Sequence, residues 1–356
     1  MTMSFHEPAP RALRLELAVE AGLALPDTGT IAVLHPRAGE DFGPLPPSQL
    51  QIVTPFAPDH GFFAARGLAC AQAAEGSYAA ALVCLPRSRV EARDLIARAA
   101  ALTSGPVIID GQKNDGVDAM LRELRDRVDL SAAIAKGHGK IAWFPSPGDA
   151  LTDWRAAPGE AKDGERVYHT LPGLFSADGI DPASALLAAS LPAGLKGVVA
   201  DLGAGWGYLS AQILERAPGI ATLHLIEADA RALACARQNV TDPRAQFHWA
   251  DATNPLKLPL DAVVMNPPFH QGREARPQLG AAFIRAAAAM LKPSGQLFLV
   301  ANRHLPYEQT LAEAFRKHSE LPGSPGFKIF HAEGPQRAPA AAPAARARVT
   351  HSRGRR

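Results

Sequence analysis

The sequence predicts the α/β class, with two tandem domains that each hold a mostly parallel sheet covered by helices. Three observations predict it. Short apolar runs alternate with helix-length amphipathic segments through both halves of the 356 residues, the rhythm of parallel strands joined by helical crossovers. Val198-Val-Ala-Asp-Leu-Gly-Ala-Gly-Trp-Gly207 runs a strand into a glycine turn and a helix start, and at such a turn a ligand can reach the backbone. A weak internal repeat links the halves. Leu291 to Val300 reads helix, Ser-Gly, strand, as Ala101 to Ile109 does, and Val83-Cys-Leu-Pro-Arg87 stands in the place of Met265-Asn-Pro-Pro-Phe269. The repeat indicates a duplication whose first copy lacks the chemistry, although any two α/β domains share such a rhythm.

In the first half, strands are expected at Thr30–Leu34, Gln51–Thr54, Ala80–Leu85, Pro106–Ile109 and Lys140–Phe144, with helices at Val90–Leu102 and Asp115–Val128. None of these strand ends carries a glycine-rich loop. The Pro/Gly/Ala stretch from Pro145 to Gly164 is the expected boundary, so residues 1–160 and 161–335 form the two domains. In the second, Arg166–His169 is a short strand. Asp181-Pro182 caps a helix running to about Leu191, Asp at the cap and Pro at the first helical position. Strands follow at Gly197–Asp201, Ala221–Glu227, Gln246–Trp249, Asp261–Met265, Gln296–Val300 and Phe327–Phe330. Helices are expected at Tyr208–Ala217, Ala230–Val240, Gln278–Leu291 and Glu308–Lys317.

Composition bounds the rest. An apolar content of 47% is enough for two cores, and a net charge of +2 supports no global electrostatic claim. Six arginines and no acid lie between Pro335 and Arg356, so the remainder nets −4 (2 minus 6). This low-complexity tail, residues 336–356, is expected to be disordered and either adds salt-sensitive affinity for RNA phosphates or only solubilises. Cys70, Cys84 and Cys235 are odd in number and far apart, which suits neither a metal site nor a disulfide framework. With no signal-like leader and no apolar run of membrane length, a cytoplasmic protein is expected, and two fused domains suit a monomer.

The glycine spacing discriminates between ligands. A dinucleotide fingerprint starting at Gly203 needs glycine at 208, where Tyr208 stands, and no Lys-Ser/Thr pair marks a phosphate loop. Glu227 lies at the next strand end, where an acid commonly grips ribose hydroxyls, and Asp251 at the one after. Asp201, Gly203, Gly205 and Gly207 resemble motif I of class I S-adenosylmethionine-dependent methyltransferases. By that resemblance the backbone of Gly203, Ala204, Gly205 and Gly207 lines the amino acid end of S-adenosylmethionine, with Asp201 nearby. Glu227 holds the ribose, and Asp251 accepts the adenine amine beside Ala252.

Asn266-Pro267-Pro268-Phe269 ends the fourth strand. Two prolines fix the backbone and remove two N–H donors, leaving carbonyls and the Asn266 side-chain oxygen as acceptors. Such acceptors suit a planar exocyclic amine, held so that its lone pair points at the methyl donor, with Phe269 as a stacking face. Phe rather than Tyr at 269 leans toward a nucleobase amine without excluding a protein glutamine amide or DNA adenine. His270 is open between a contact to phosphate or base and a plain surface or packing histidine. A non-catalytic RNA-binding module is the rival from another class.

Leu171-Pro-Gly-Leu-Phe-Ser-Ala-Asp-Gly-Ile180, Asn266-Pro-Pro-Phe-His270, Val300-Ala-Asn-Arg-His-Leu-Pro-Tyr307 and Phe327-Lys-Ile-Phe330 together resemble the bacterial ribosomal RNA guanine-N2 methyltransferases of the RsmC/RlmG type. The likeness is strong over about residues 166–334 and loose over the first domain. It implies two Rossmann-like methyltransferase domains with seven-stranded sheets, the N-terminal one degenerate and serving RNA binding or structure. It implies S-adenosylmethionine as cofactor and guanine in ribosomal RNA, or an assembled subunit, as target, the small-subunit RNA before the large. It also places Phe175 near the cofactor mouth as a lid or base contact, core packing being the alternative, and Asn302 and Tyr307 at the pocket border.

Overall fold

The computed structural model describes residues 10–336 except 269, 272, 273 and 276, and the backbone alone at 270–271 and 274–275. Phe269 and residues 337–356 of the tail therefore lie outside the described residues, as does the side chain of His270. Chain order in the first domain is α1 (Pro10–Glu20), β1 (Ile31–Leu34), β2 (Leu50–Val53), α2 (Ala57–Ala64), β3 (Ala69–Ala71), β4 (Ala80–Cys84), α3 (Arg89–Leu102), β5 (Pro106–Gln112), α4 (Val117–Arg125), β6 (Ile134–Lys136) and β7 (Gly139–Pro145). A hairpin of β8 (Gly159–Asp163) and β9 (Arg166–Thr170) leads to the second domain. Next come α5 (Pro182–Ser190), β10 (Gly197–Leu202), α6 (Tyr208–Arg216), β11 (Ile220–Glu227), α7 (Ala230–Asn239), β12 (Ala245–Trp249) and β13 (Leu260–Met265). A short ladder, β14 (His270–Gln271) and β15 (Glu274–Ala275), precedes α8 (Pro277–Met290), β16 (Leu291–Asn302), α9 (Glu308–Ala314), β17 (Phe315–Leu321) and β18 (Phe327–Pro335).

Both sheets have seven strands and one topology. The first runs β3-β2-β1-β4-β5-β7-β6 and the second β12-β11-β10-β13-β16-β18-β17. Numbered within each domain, both read 3-2-1-4-5-7-6, parallel except for strand 7, which runs antiparallel to its neighbours 5 and 6. Register makes the correspondence residue by residue. Leu34 pairs with Val53 and Val83, as Leu202 pairs with Ile226 and Met265. The backbone repeats beyond the strand: His35 N donates to Val53 O at 2.9 Å and Gly203 N to Ile226 O at 2.8 Å. By the same registers Val83 holds the position of Met265, as the repeat predicts.

Central strands are buried on both faces, which is why they read as continuous apolar runs. One core cluster of the second domain joins α5, α6 and α7 to the sheet through residues such as Leu187, Leu209 and Ala236. The other joins α8 and α9 through Phe283, Ile284 and Leu311. The helix expected over Glu308–Lys317 stops at Ala314. Phe315–Leu321 instead forms the antiparallel edge strand on β18, burying Phe315 and presenting mostly polar side chains outward.

The domains dock through the turn after β2. Pro55 O accepts from Ala230 N (2.9 Å) and from Trp249 Nε1 (2.8 Å), and Ala57 N donates to Ala228 O (2.8 Å). Arg231 Nη1 meets Glu91 Oε1 at 2.5 Å across the same seam. Among the described residues no helix is long and apolar enough to cross a membrane.

Candidate methyl-transfer site

The glycine loop begins where β10 ends. Gly203, Gly205 and Gly207 all have positive φ (76°, 56° and 91°), so the alternate glycines are a backbone requirement. Their surroundings separate two uses. A Cβ on Gly207 would lie 3.0 Å from Val240 Cγ2 and 3.2 Å from Ala236 Cβ, so this glycine lets α6 start against α7. A Cβ on Gly205 would meet nothing within 4 Å: that glycine keeps space open above the loop.

Asp201 sits beneath the loop, 1% exposed. Its Oδ2 accepts from Ser210 Oγ at 2.6 Å, while Oδ1 is buried without a hydrogen-bond partner. Burial, with Glu227 adding like charge, pushes its carboxyl up to about 7. A buried acceptor left orphaned is costly, and one that lines a cavity beside open backbone suits an incoming ammonium. Glu227 is anchored at both oxygens, Oε2 by Gly205 N and Oε1 by Asp229 N, each at 2.8 Å. Burial raises its pKa too. One bond per oxygen leaves each with a lone pair for a hydroxyl. Asp251 closes the turn after β12: Oδ1 accepts from Thr253 N and Oγ1, and Oδ2 from Asn254 Nδ2. That leaves one acceptor position on Oδ2, with Ala252 buried beside it.

Asn266 completes the arrangement at the end of β13. Its Nδ2 donates to Asp181 Oδ2 and to Ser184 Oγ, both at 2.9 Å. Both amide hydrogens are thus spent on the first turn of α5, where Asp181 Oδ2 also accepts from Ser184 N at 2.7 Å. What Asn266 can still offer a ligand is its Oδ1 acceptor. Pro267 is buried and Pro268 exposed. Asn266, Asp181, Ser184, Asp201 and the glycine loop line one cavity of about 50 Å³. That volume takes the amino acid end of a cofactor; the remainder would lie over the open strand ends of Glu227 and Asp251.

Phe175 is 61% exposed, which rules out core packing, and its carbonyl accepts from Trp206 Nε1 at 2.9 Å. The segment before α5 is thereby tied to the loop it borders. Tyr307 corrects an expectation. It is 1% exposed and packed against Gly280, where a Cβ would lie within 3 Å of its ring, so it belongs to the core and not to the pocket border. Four residues to which the sequence assigns no part in the site border it: Asp181, Ser184, Trp206 and Asn239. Asn239 clamps the loop from behind, donating to Trp206 O and His169 O, both at 2.8 Å. The Asp181-Pro182-Ala183-Ser184 cap is visible in the sequence; its second use as the anchor of Asn266 is not.

The first copy keeps the geometry without these groups. By register, Val33 stands for Asp201, and one residue on, His35 stands for Gly203, Thr54 for Glu227 and Cys84 for Asn266; counting three residues on from Ala71, which matches His248, Ala74 falls at Asp251. His35 even keeps the left-handed backbone, with φ 59°.

Comparison with known proteins agrees with this division. The family described as "Methyltransferase small domain" matches residues 165–331. Ribosomal RNA small subunit methyltransferase C of Erwinia tasmaniensis is 30% identical over 256 residues, 69% of this chain and 73% of that protein. The chain belongs to the ribosomal RNA small subunit methyltransferase C family. The member from Sodalis glossinidius is 33% identical over 208 residues, 58% of each chain. The T. thermophilus 16S rRNA N2 G1207 methyltransferase, solved with AdoMet and guanosine, superposes with a TM-score of 0.73 at 26% identity. It covers 92% of this chain and 94% of its own. That structural likeness spans the first domain as well as the second.

Proposed function

We propose that the chain transfers a methyl group from S-adenosylmethionine to the exocyclic N2 amine of a guanine in small-subunit ribosomal RNA. The observation that carries this reading is Asn266, whose amide hydrogens are both held by Asp181 and Ser184, so that an acceptor faces a cavity shared with Asp201 and the glycine loop. Family membership supplies the RNA class and the cofactor.

The residues fit that cofactor. Asp201 Oδ1 would take its ammonium, Gly203–Gly207 its amino acid backbone, Glu227 the ribose and Asp251 with Ala252 the adenine. When bound, the cofactor supplies an electrophilic methyl group on a sulfonium. The chain's own part is positioning. Asn266 Oδ1 and the Pro267 carbonyl accept from the two N–H bonds of the guanine amine, which holds the group and turns its lone pair out of conjugation with the ring. As the nitrogen gains a bond and positive charge, both acceptor bonds strengthen, so they stabilise the transition state more than the ground state. The surplus proton leaves after transfer, and no strong base is required. Phe175, and Phe269 and His270 from beyond the described side chains, are assigned to the target base. The first domain, residues 1–160, holds the RNA and acts within a cytoplasmic monomer.

The test is tritium transfer from labelled S-adenosylmethionine, counted separately in small-subunit RNA, large-subunit RNA and protein. Label should enter small-subunit RNA alone, and Asn266→Ala should cut the rate by about 10²–10³. Label in protein only would sink the RNA assignment, and a full-rate Asn266→Ala would sink the mechanism.

A further inference from the structure

A cavity among the described residues lies away from the methyl-transfer site, at the strand ends of the first sheet. It measures about 400 Å³ and is walled by Leu34, Val53, Leu95 and Leu102. In volume it falls in the range of small-molecule sites, roughly 300–1,000 Å³. Its position has a counterpart. Ala74, which lines it, falls in the loop after β3 as Asp251 does in the loop after β12, and α3 follows β4 as α8 follows β13. The cavity therefore occupies the ground that the proposed function gives to the adenine half of the cofactor in the second copy.

The whole cofactor does not fit there. His35 puts a side chain where Gly203 has none, and its Nδ1 is buried without a partner. Thr54 and Val33 replace the carboxylates that would hold ribose hydroxyls and an ammonium. The charged lining, Arg98, Arg155 and Arg231 with Glu91 and Asp94, is tied up in ion pairs, and Asp229 also holds Arg231, so no carboxylate is left free to face a sulfonium. What remains is an apolar slot with guanidinium planes and hydrogen-bonding edges at its rim. That suits a flat heterocycle: aliphatic walls take its faces, guanidiniums stack on it, and Gln72 addresses its edge.

We infer that this cavity is a second nucleoside site, which takes a purine base without the amino acid end of the cofactor. A free nucleoside and an unstacked base of an RNA strand share that chemistry. Occupancy would be felt at the methyl-transfer site, because Leu171 and Pro172 close one wall and the same segment carries Phe175. Glu91 sits under Gly173, where a Cβ would lie 2.6 Å from its Oε2.

The test uses the full chain saturated with S-adenosylhomocysteine, so that the second-domain cofactor site is filled. Photolabelling with 2-azidoadenosine should mark peptides that contain residues 72–74 or 94–102, and both adenosine and guanosine should compete. Ala101→Trp, which grows into the cavity from α3, should cut that label at least tenfold while S-adenosylhomocysteine affinity stays within twofold. Ala74→Phe fills the opposite wall and serves if the first variant does not fold. A small-subunit RNA fragment separates the sources. At least threefold weaker RNA binding by the filled variant assigns the base to RNA, and unchanged RNA binding assigns the site to a free nucleoside. No label in these peptides, or label indifferent to both variants, overturns the inference. Neither result depends on methyl transfer, so its failure would leave the proposed activity untouched.

Discussion

Asn266→Asp keeps the shape of the side chain and an acceptor oxygen, but it changes the charge beside Asp181. Asn266 Nδ2 lies 2.9 Å from Asp181 Oδ2, so the variant sets two carboxylate oxygens against each other at about that distance. Two unit charges there repel by about 6 kcal/mol at an effective dielectric near 20, equivalent to roughly 4 pKa units. Asn266 is only partly buried, and solvent reduces this to about 2 units at the lower bound. The pair then keeps one shared proton to about pH 6–8 instead of losing it near pH 4. While that proton is present it takes the place of the amide hydrogen donated to Asp181, and the acceptor stays aimed. Once it is lost the carboxylates separate. Activity relative to the parent should therefore fall as pH rises through 6–8. Single-turnover methyl transfer from tritiated cofactor, run on both proteins between pH 5.5 and 9, measures this ratio. A ratio that is flat, or that climbs with pH, would refute the idea that the bond to Asp181 positions residue 266.

Asp201, with its pKa pushed up to about 7 in the cofactor-free fold, binds its proton more tightly folded than unfolded. Its contribution to stability is full below about pH 4 and is lost as pH rises through 7. Asp201→Asn should therefore raise the unfolding temperature of the cofactor-free protein at pH 8, by up to about 4 kcal/mol in free energy, while weakening cofactor binding at least tenfold; a variant no more stable than its parent at pH 8 contradicts the burial argument. Gly205→Ala and Gly207→Ala should part company. The first occupies open space and lowers cofactor affinity with little loss of stability beyond the left-handed backbone cost of about 1–2 kcal/mol. The second adds a clash with Val240 and Ala236 and lowers the melting temperature further, as differential scanning calorimetry would show. Asn239→Ala removes three hydrogen bonds behind the loop, worth about 2–3 kcal/mol together. It should loosen the loop enough to raise the cofactor Kd, read by titration calorimetry, without altering the pH profile of transfer.

The second domain is legible in the sequence because its strands are buried on both faces and its loop needs glycine at three positions of positive φ. Asp201, Glu227, Asp251 and Asn266 emerge from one rule, that functional groups stand at strand ends. Elements without an apolar period escape it. Helix α1 is held by Arg14 and Arg11 on Asp110, a buried ion cluster at 2.6–2.8 Å, and buried arginines hide an inward face among charges. In β8 only Ala161 is buried, so the strand reads as part of a linker; Gly164, with φ 59°, turns it back into β9. The anchoring of Asn266 is out of reach for another reason: 82 residues separate it from Ser184, and no local pattern records such a pairing.

The loss of chemistry in the first copy lies deeper than five side chains. His35 holds the backbone of Gly203, with the same hydrogen bond and a similar φ, so the strand end itself survives. The helix beyond it does not. In the second domain α6 begins at Tyr208, directly after Gly207, and sets its N-terminus, the positive end of its dipole, at the cavity that Tyr208 and Leu209 line. In the first domain only a single 3-10 turn, Pro47–Gln49, lies between β1 and β2. Restoring aspartate, glycine, glutamate, aspartate and asparagine at 33, 35, 54, 74 and 84 would rebuild the acceptors for a cofactor and still leave its amino acid end without a helix to face. The first copy could thus give up transfer and keep its strand ends, where a cavity remains against the seam with the working domain.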